Sequence, residues 1–204
     1  MNSTNEIPVQ SNIGVVYSRH SSEYLFKQIV SERKKYDFLI PAYITVVCAG
    51  IEGKINTAFI DCLHKRLGKE YKTFVRPYLF MRIRDRFEQM PIIVSNFKYR
   101  LNTKNEKIKE IFKIFEFRNQ LVHVKQHWHY ADPIHDENGE LISLKYKENN
   151  TNDPYRTGFV IEKLSEEELA KIFNVYKSFI SKFSNIANNI NRKNFNPENW
   201  FVKI

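Results

Sequence analysis

Apolar side chains recur every three to four residues along most of the chain, which is the spacing of one face of an α-helix. This pattern predicts helices over about 23–39, 41–67, 74–90, 104–128 and 166–191. Ser21 or Ser22 is suited to cap the first helix, Pro41 fits the first turn of the second, and Gly68 fits its end. The fold class is therefore predicted to be mainly α.

Further helix boundaries follow from capping residues and proline. Thr103 with Glu106, and Ser165 with Glu168, have the three-residue spacing of a capping box. They predict the starts of the fourth and last helices. Pro91 is expected to stop or kink the third helix, because proline lacks the N–H that continues the helical hydrogen bonds.

Three segments have the pattern of strands. IGVVYS (Ile13–Ser18) is predicted to form a short strand, and LISLKYK is predicted to pair with FVIEKL in a hairpin whose tip is NNTNDPYRTG. DENG, at Asp136–Gly139, is a turn signal. The predicted organisation is an N-terminal extension at 1–20, a helical bundle at 21–192 and a C-terminal tail at 193–204. The hairpin is inserted at about 136–162, before the last helix, and Trp200 and Phe201 of the tail are expected to dock on the bundle.

Composition narrows the class of protein. The 204-residue chain has a net charge of +9, which favours phosphate-rich partners such as RNA. Its longest apolar runs, such as Tyr43–Ile51, are far shorter than a bilayer requires, so no membrane partner is expected. Cys48 and Cys62 would lie about 20 Å apart on one helix, too far for a disulfide. Two free thiols and no visible secretory signal predict a cytoplasmic protein.

The stretch EFRNQLVHVKQHWHY, from Glu116 to Tyr130, concentrates polar chemistry on one helix. A helical wheel predicts a core stripe of Ile111, Ile114, Phe117, Leu121, Val124 and Trp128. Glu116, Asn119, His123 and His127 fall on the opposite side. Phe112, Phe115 and Val122 lie outside the core stripe beside these polar residues. This second apolar face predicts an interface, with a polar pocket set inside it.

Arg118, Asn119 and His123 together resemble the R-x4-6-H motif of HEPN domains, in the variant with asparagine directly after arginine. The resemblance extends to an amphipathic helix late in the bundle and to a variable insertion followed by one capped helix. The polar interruption of an early long helix, Gly50–Gly53, is also similar. The resemblance to HEPN domains implies a HEPN-like helical bundle, a homodimer, and an RNase of a toxin–antitoxin or phage-defence system. Some members of this superfamily are not catalytic.

The residues suit RNA cleavage without a metal or other cofactor. His123 can serve as base or acid, because its unperturbed pKa lies near neutrality. Arg118 can bind the scissile phosphate, and Asn119 can orient His123 from one helical turn away. Glu52 or Glu116 can raise the basicity of His123, and His127 is a third supporting candidate. The products would be a 2′,3′-cyclic phosphate and a 5′-hydroxyl.

Several basic residues are candidates for guiding RNA. Arg82, Arg84 and Arg86 alternate on one basic segment, and Lys125 lies two places after His123. Some HEPN relatives carry a tyrosine at the Lys125 position, where a partner enzyme modifies it. Lysine there predicts restraint by a separate antitoxin or defence-complex partner instead.

Two alternatives remain open on the sequence alone. His123 and His127 have the i, i+4 spacing of zinc ligands, and His129, Asp132, His135 and Asp136 follow them. No H-E-x-x-H pattern is present, and no cysteine is near, so no metal ligand is assigned. The other alternative is a non-catalytic helical dimer that binds RNA or a protein partner. It shares the fold and lacks the chemistry.

Overall fold

The computed structural model describes residues 13–122, 131–146 and 164–204. These residues form a mainly α structure with two small antiparallel sheets, which confirms the predicted fold class. A 3-10 turn at Asp37–Leu39 joins the second helix to the third, and another at Gly68–Glu70 joins the third to the fourth. The elements in chain order are α1 Ile13–Ser31, α2 Arg33–Tyr36, α3 Ile40–Leu67, α4 Tyr71–Phe80, α5 Ile83–Val94, β1 Tyr99–Leu101, α6 Glu106–Val122, β2 Ala131–His135, β3 Leu141–Tyr146, α7 Glu166–Lys182, α8 Ile186–Asn189 and β4 Phe201–Lys203.

Helix α3 is the centre of the core. It packs against α1, α4, α5, α6, α7 and α8, and Tyr43, Ile51 and Phe59 are fully buried along it. The helix ends where Gly68 adopts a positive φ of 55°, and its N–H donates to the His64 carbonyl. A side chain disfavours this φ, so glycine suits the position. The predicted start at Pro41 and end at Gly68 are confirmed.

The predicted strand at Ile13–Ser18 is wrong, because these residues open helix α1. Ser22 is not a cap either. It is fully buried within α1, and its hydroxyl donates to the Arg19 carbonyl at 2.9 Å. Helix α1 packs along α3, and this tertiary packing outweighs the strand preference of the β-branched residues. The bundle therefore begins before residue 21.

The predicted third helix is two helices. Met81 and Arg82 have extended backbones, with ψ of 152° and 143°, and they separate α4 from α5. Pro91 does not end the helix, since α5 continues to Val94. The boundary falls ten residues before the proline, at residues with no turn signal of their own.

Helix starts differ in how well their caps could be predicted. The Thr103–Glu106 capping box does not form, because Asn105 caps α6 instead. Its Oδ1 accepts from the N–H groups of Lys107 at 2.8 Å and Ile108 at 3.3 Å. The Ser165–Glu168 capping box of α7 is present as predicted. That helix stops at Lys182 instead of near 191, since Asn185 turns left-handed with φ of 54° before α8.

The inserted hairpin is formed by β2 and β3, with Ile134 opposite Ser143. The turn at Asp136–Gly139 is confirmed, and Gly139 has a φ of 81°. Strand β3, which contains most of LISLKYK, pairs with β2, which precedes it and was not predicted as a strand. The predicted partner FVIEKL lies, apart from Leu164, outside the described residues, so that pairing stays a prediction. The predicted tip NNTNDPYRTG lies outside the described residues.

The tail docks on the bundle as expected. Trp200 and Phe201 are each 3% exposed, and the Trp200 ring packs edge-on against Phe183 at 5.5 Å. Strand β4 pairs with β1, with Arg100 opposite Val202. Each strand has three residues, too few for alternation to indicate a strand in the sequence.

By length and composition, the helical stretch Arg33–Phe80 could cross a membrane, and within the described chain it alone passes that test. Core helices of water-soluble proteins pass the same test. Here the apolar side chains of α3, such as Ile44 and Val47, are fully buried against the other helices. Packing within the bundle therefore accounts for part of the apolar composition of α3.

Candidate functional site

Helix α3 carries a polar stripe in the middle of its apolar surface. Cys48, Glu52 and Asn56 are spaced four residues apart, so they follow one another about 6 Å apart along one side of the helix. Helix α6 meets the stripe at Cys48, whose thiol donates to the Ile114 carbonyl at 3.5 Å. Helix α5 meets it at Glu52 and Asn56. The stripe therefore lies where three helices converge.

Arg86 of α5 fixes the second half of this stripe. Its Nη1 donates to Glu52 Oε1 at 2.9 Å and to Asn56 Oδ1 at 2.7 Å. Its Nη2 donates to the carbonyls of Leu79 at 2.6 Å and Met81 at 2.8 Å, where the break after α4 leaves them without helical donors. The Arg86 side chain is 7% exposed. The prediction that Arg86 binds RNA is therefore wrong, because its guanidinium is buried and both terminal nitrogens already donate to protein acceptors.

The other two arginines of that segment are exposed. Arg82 lies at the break between α4 and α5, and Arg84 forms an ion pair with Glu88 at 3.2 Å. The sequence shows only that three arginines alternate, and helix α5 turns the third one inward. Arg82 and Arg84 remain candidates for contact with RNA.

Arg118 of α6 lies half-buried against the first half of the stripe. Burial raises the pKa of the Cys48 thiol to about 12, while the nearby Arg118 guanidinium lowers it and Glu52 raises it. Arg118 and Glu52 are therefore both close to this thiol. The structure brings two of the predicted site residues, from different helices, to one place on the stripe.

The charge of Arg118 has no anionic partner in the part of the chain that the structure describes. Glu52 is held by Arg86, and no carboxylate of residues 13–122, 131–146 or 164–204 forms an ion pair with Arg118. Cys48 cannot balance the charge, because a thiol with a pKa of about 12 is protonated at neutral pH. A half-buried guanidinium in such surroundings can accept an anion from outside the protein.

The remaining predicted site residues fall at the end of α6. Glu116 and Asn119 are exposed on this helix. His123, Lys125 and His127 lie outside the described residues, and His123 directly follows the last described residue of α6, Val122. The core positions Ile111, Ile114 and Phe117 of the predicted stripe are confirmed as buried.

The predicted interface through Phe112 and Phe115 is wrong. These side chains are 7% and 3% exposed, and they belong to the core of the same chain. Phe112 packs edge-on against Phe87 at 6.0 Å, and the Arg84 guanidinium covers its ring at 4.5 Å. Helix α5 thus covers Phe112 on the second apolar face of α6, an outcome that a helical wheel of α6 alone does not reveal. The Val122 side chain lies outside the described residues.

Two candidate ligands of the metal alternative make hydrogen bonds within the hairpin turn. His135 Nδ1 donates to the Gly139 carbonyl at 3.0 Å, and Asp136 Oδ1 accepts from the N–H groups of Asn138 and Glu140. Both side chains therefore stabilise the hairpin turn. Within the three described ranges, no three histidine, cysteine or acidic side chains form a metal-binding group.

A second polar cleft, of about 570 Å³, lies between α7, the N-terminal end of α6 and the tail. Lys107 and Lys182 line it, but both are engaged internally. Lys107 donates to Ser178 Oγ at 3.4 Å, and Lys182 donates to the Asn196 carbonyl at 2.6 Å. Lys107 lies eleven residues before Arg118 on α6, about 16 Å along the helix. This cleft is separate from the stripe.

Sequence reasoning missed Cys48, Asn56 and the structural role of Arg86. A signal for the first two was present, since polar residues at i, i+4 and i+8 interrupt an otherwise apolar helix. The fold and the site together define a mainly α bundle with an arginine-centred polar site. No family model matches the chain, and no curated protein or solved structure is significantly similar to it.

Proposed function

We propose that the chain is a metal-independent endoribonuclease of the HEPN type, in which Arg118 binds the scissile phosphate and His123 transfers protons. One observation carries the proposal. Arg118 lies half-buried beside a protonated thiol, and no carboxylate of the described residues pairs with it. A phosphodiester of RNA supplies the missing anion, and the planar guanidinium can donate two parallel hydrogen bonds to it.

The surroundings of Arg118 support a phosphate-binding role. A fixed cation that faces the phosphate can stabilise the charge that develops during cleavage, without reorganising at that moment. Glu52 lies near enough to act on Cys48, yet Arg86 holds it in an ion pair of its own. Arg118 therefore stays available for a substrate, because Glu52, the carboxylate that acts on the same thiol, is already paired with Arg86.

In the proposed reaction, His123 accepts the proton of the ribose 2′-hydroxyl as O2′ attacks phosphorus. The O2′–P bond forms while the P–O5′ bond breaks, and the leaving 5′-oxygen takes a proton from an acid. The products are a 2′,3′-cyclic phosphate and a 5′-hydroxyl. Asn119 is one helical turn before His123 in the sequence and can orient the imidazole.

The proposal includes a homodimer in which the two His123 side chains share the roles of base and acid, since the motif holds one histidine. Light scattering of the purified protein at micromolar concentration tests the dimer, and a wild-type monomer would contradict it.

The proposal also includes a partner that restrains the enzyme. Arg118 and His123 contact the RNA backbone and not the bases, so an unrestrained enzyme would cleave cellular RNA broadly.

The test of the proposed function is cleavage of total RNA in the presence of EDTA. Wild type should cleave, and Arg118→Ala and His123→Ala should not, with circular dichroism spectra like that of wild type. Matched controls are Arg192→Ala and His20→Ala, which change exposed residues away from the stripe. Equal cleavage by His123→Ala and wild type would reject the assignment. Loss of cleavage on chelation, restored by zinc, would favour a metal site instead.

A further inference from the structure

Helix α4 has an outer face that no described element covers. Its inner face packs on the core through Val75, which is buried, and through Tyr71 and Tyr78. On the outer side, Lys72, Arg76 and Phe80 are four residues apart and form one row. Phe80 is 78% exposed, and the Arg76 guanidinium lies 5.6 Å from the centroid of its ring. A large aromatic side chain is therefore presented to solvent among cations.

The charge of this region is strongly positive. From Lys69 to Arg84 the chain has five basic residues and one acidic residue. Arg82 is exposed two residues after Phe80, at the break between α4 and α5. The row Lys72–Arg76–Phe80, extended by Arg82, is called the α4 ridge below. Its charge is complementary to a polyanion that also offers flat rings.

The ridge borders the Arg118 site. Phe80 lies between Leu79 and Met81, whose carbonyls accept hydrogen bonds from the same Arg86 that holds Glu52. Glu52 in turn lies one helical turn from Cys48, which Arg118 contacts electrostatically. The Arg86 guanidinium thus links the end of the ridge to the polar stripe.

A second set of contacts also places the end of the ridge near Arg118. Arg84, at the start of α5, covers the ring of Phe112 on α6 at 4.5 Å. Phe112 lies six residues before Arg118 on the same helix, about 9 Å along its axis. The break between α4 and α5 is therefore beside both helices that carry the site.

We propose that the α4 ridge binds single-stranded RNA and directs it to Arg118. A base stacks on the Phe80 ring, while Arg76, Lys72 and Arg82 contact the phosphates on either side. Stacking on a protein ring requires an unpaired base, because the bases of a duplex already cover one another. The inference rests on the proposed function and assigns its substrate class as single-stranded RNA.

The experiment measures binding separately from cleavage. The probe is a fluorescently labelled 2′-O-methyl oligonucleotide, which lacks the 2′-hydroxyl and so cannot be cleaved. Fluorescence anisotropy should show binding at least about fivefold weaker for Phe80→Ala, the smallest effect expected from losing one stacked base. Phe80→Trp should bind like wild type and show quenched tryptophan fluorescence on binding.

Two further variants make the test specific. Phe38→Ala removes a phenylalanine that is 72% exposed in the 3-10 turn before α3, and this variant should bind like wild type. Arg76→Ala should weaken binding and reduce the slope of log affinity against log salt by about one phosphate contact. All substituted side chains are exposed, so the melting temperatures should stay close to that of wild type.

The proposal is overturned if Phe80→Ala binds as tightly as wild type, or if wild type binds no RNA. It is also overturned if a duplex of the same sequence binds equally well with the same dependence on Phe80.

Binding of the same variants to phosphatidylserine vesicles is measured separately. If Phe80→Ala loses vesicle binding but keeps RNA binding, the ridge is assigned to a membrane surface. Binding that depends on Phe80 without any cleavage by wild type would support the ridge and reject the nuclease. Cleavage that depends on His123, with unchanged binding by Phe80→Ala, would reject the ridge alone.

Discussion

Arg86 Nη1 lies 2.9 Å from Glu52 Oε1, and this ion pair joins α5 to the central helix α3. The arginine side chain is 7% exposed and the glutamate side chain 37% exposed, so the cation is the buried member. The same guanidinium also donates to two carbonyls at the end of α4. One side chain therefore holds three helices together at the edge of the Arg118 site.

Replacing Arg86 with alanine is expected to destabilise the fold by about 3–5 kcal/mol, because it leaves two half-buried carbonyls and a carboxylate without their donor. Arg84→Ala is the matched control on the same helix. It removes an exposed pair with Glu88 and a ring contact, and it should cost about 1 kcal/mol or less. Urea denaturation measures both changes. Equal stabilities of the two variants would contradict the structural role of Arg86.

Gly50→Ala is expected to destabilise the protein by about 1–3 kcal/mol, even though alanine favours a helix. A Cβ at Gly50 would lie 2.3 Å from the Tyr176 hydroxyl oxygen of α7, too close for two non-bonded atoms. Adding Tyr176→Phe removes that oxygen and should recover part of the loss. Thermal melts of the two single variants and the double variant measure the coupling, and strictly additive effects would argue against this contact.

The Cys48 thiol predicts a loss of stability at alkaline pH. Its pKa is raised to about 12 in the folded chain, above the value of about 8.5 for an unfolded cysteine. The unfolded chain therefore releases this proton first, so the stabilising contribution is complete below about pH 8.5. It declines as pH rises towards the folded pKa, by up to about 1.4 kcal/mol per pH unit.

Cys48→Ala removes this contribution, so its free energy of unfolding should fall less steeply than that of wild type between pH 9 and about 11. Burial also raises the pKa of Tyr176 and Cys62, and these groups are common to both proteins. The difference between the two curves therefore isolates Cys48. Denaturant melts at several pH values give the curves, and parallel curves would show that the thiol is not responsible.

Expression in cells tests the proposed restraint by a partner. Wild type expressed alone should arrest growth, because the proposed contacts with RNA phosphates carry no sequence preference. His123→Ala should be harmless at the same protein level, as judged by immunoblot, and His20→Ala should arrest growth like wild type. A wild type that is harmless and cleaves no RNA would leave the non-catalytic binding dimer as the better description.

Local rules predicted the boundaries that depend on local residues. Pro41, Gly68 and the Ser165–Glu168 capping box each act within one or two turns, so their effects can be read directly from the sequence. The break at Met81 was not predictable in this way. It depends on Arg86, five residues later, which donates to the half-buried carbonyls of Leu79 and Met81 only after α5 has packed on α3.

In the candidate site too, local features could be predicted from the sequence and tertiary contacts could not. The spacing of Arg118, Asn119 and His123 suggested the chemistry, but the wheel of α6 could not show that α5 covers Phe112. The role of Arg86 was misjudged because exposed and buried arginines look alike in a sequence. Burial depends on neighbouring helices that no local window contains, so tertiary contacts decided these cases.

The pairing of β1 with β4 sets an order for folding during synthesis. Leu101 lies opposite Phe201, so one strand is made a hundred residues before its partner. A ribosome adds about 5–20 residues each second, and β1 therefore waits about 5–20 s for β4. Until Trp200 and Phe201 arrive, the ring of Phe183 lacks two of its aromatic neighbours. The nascent chain thus completes its core only after the ribosome has already passed the Arg118 motif.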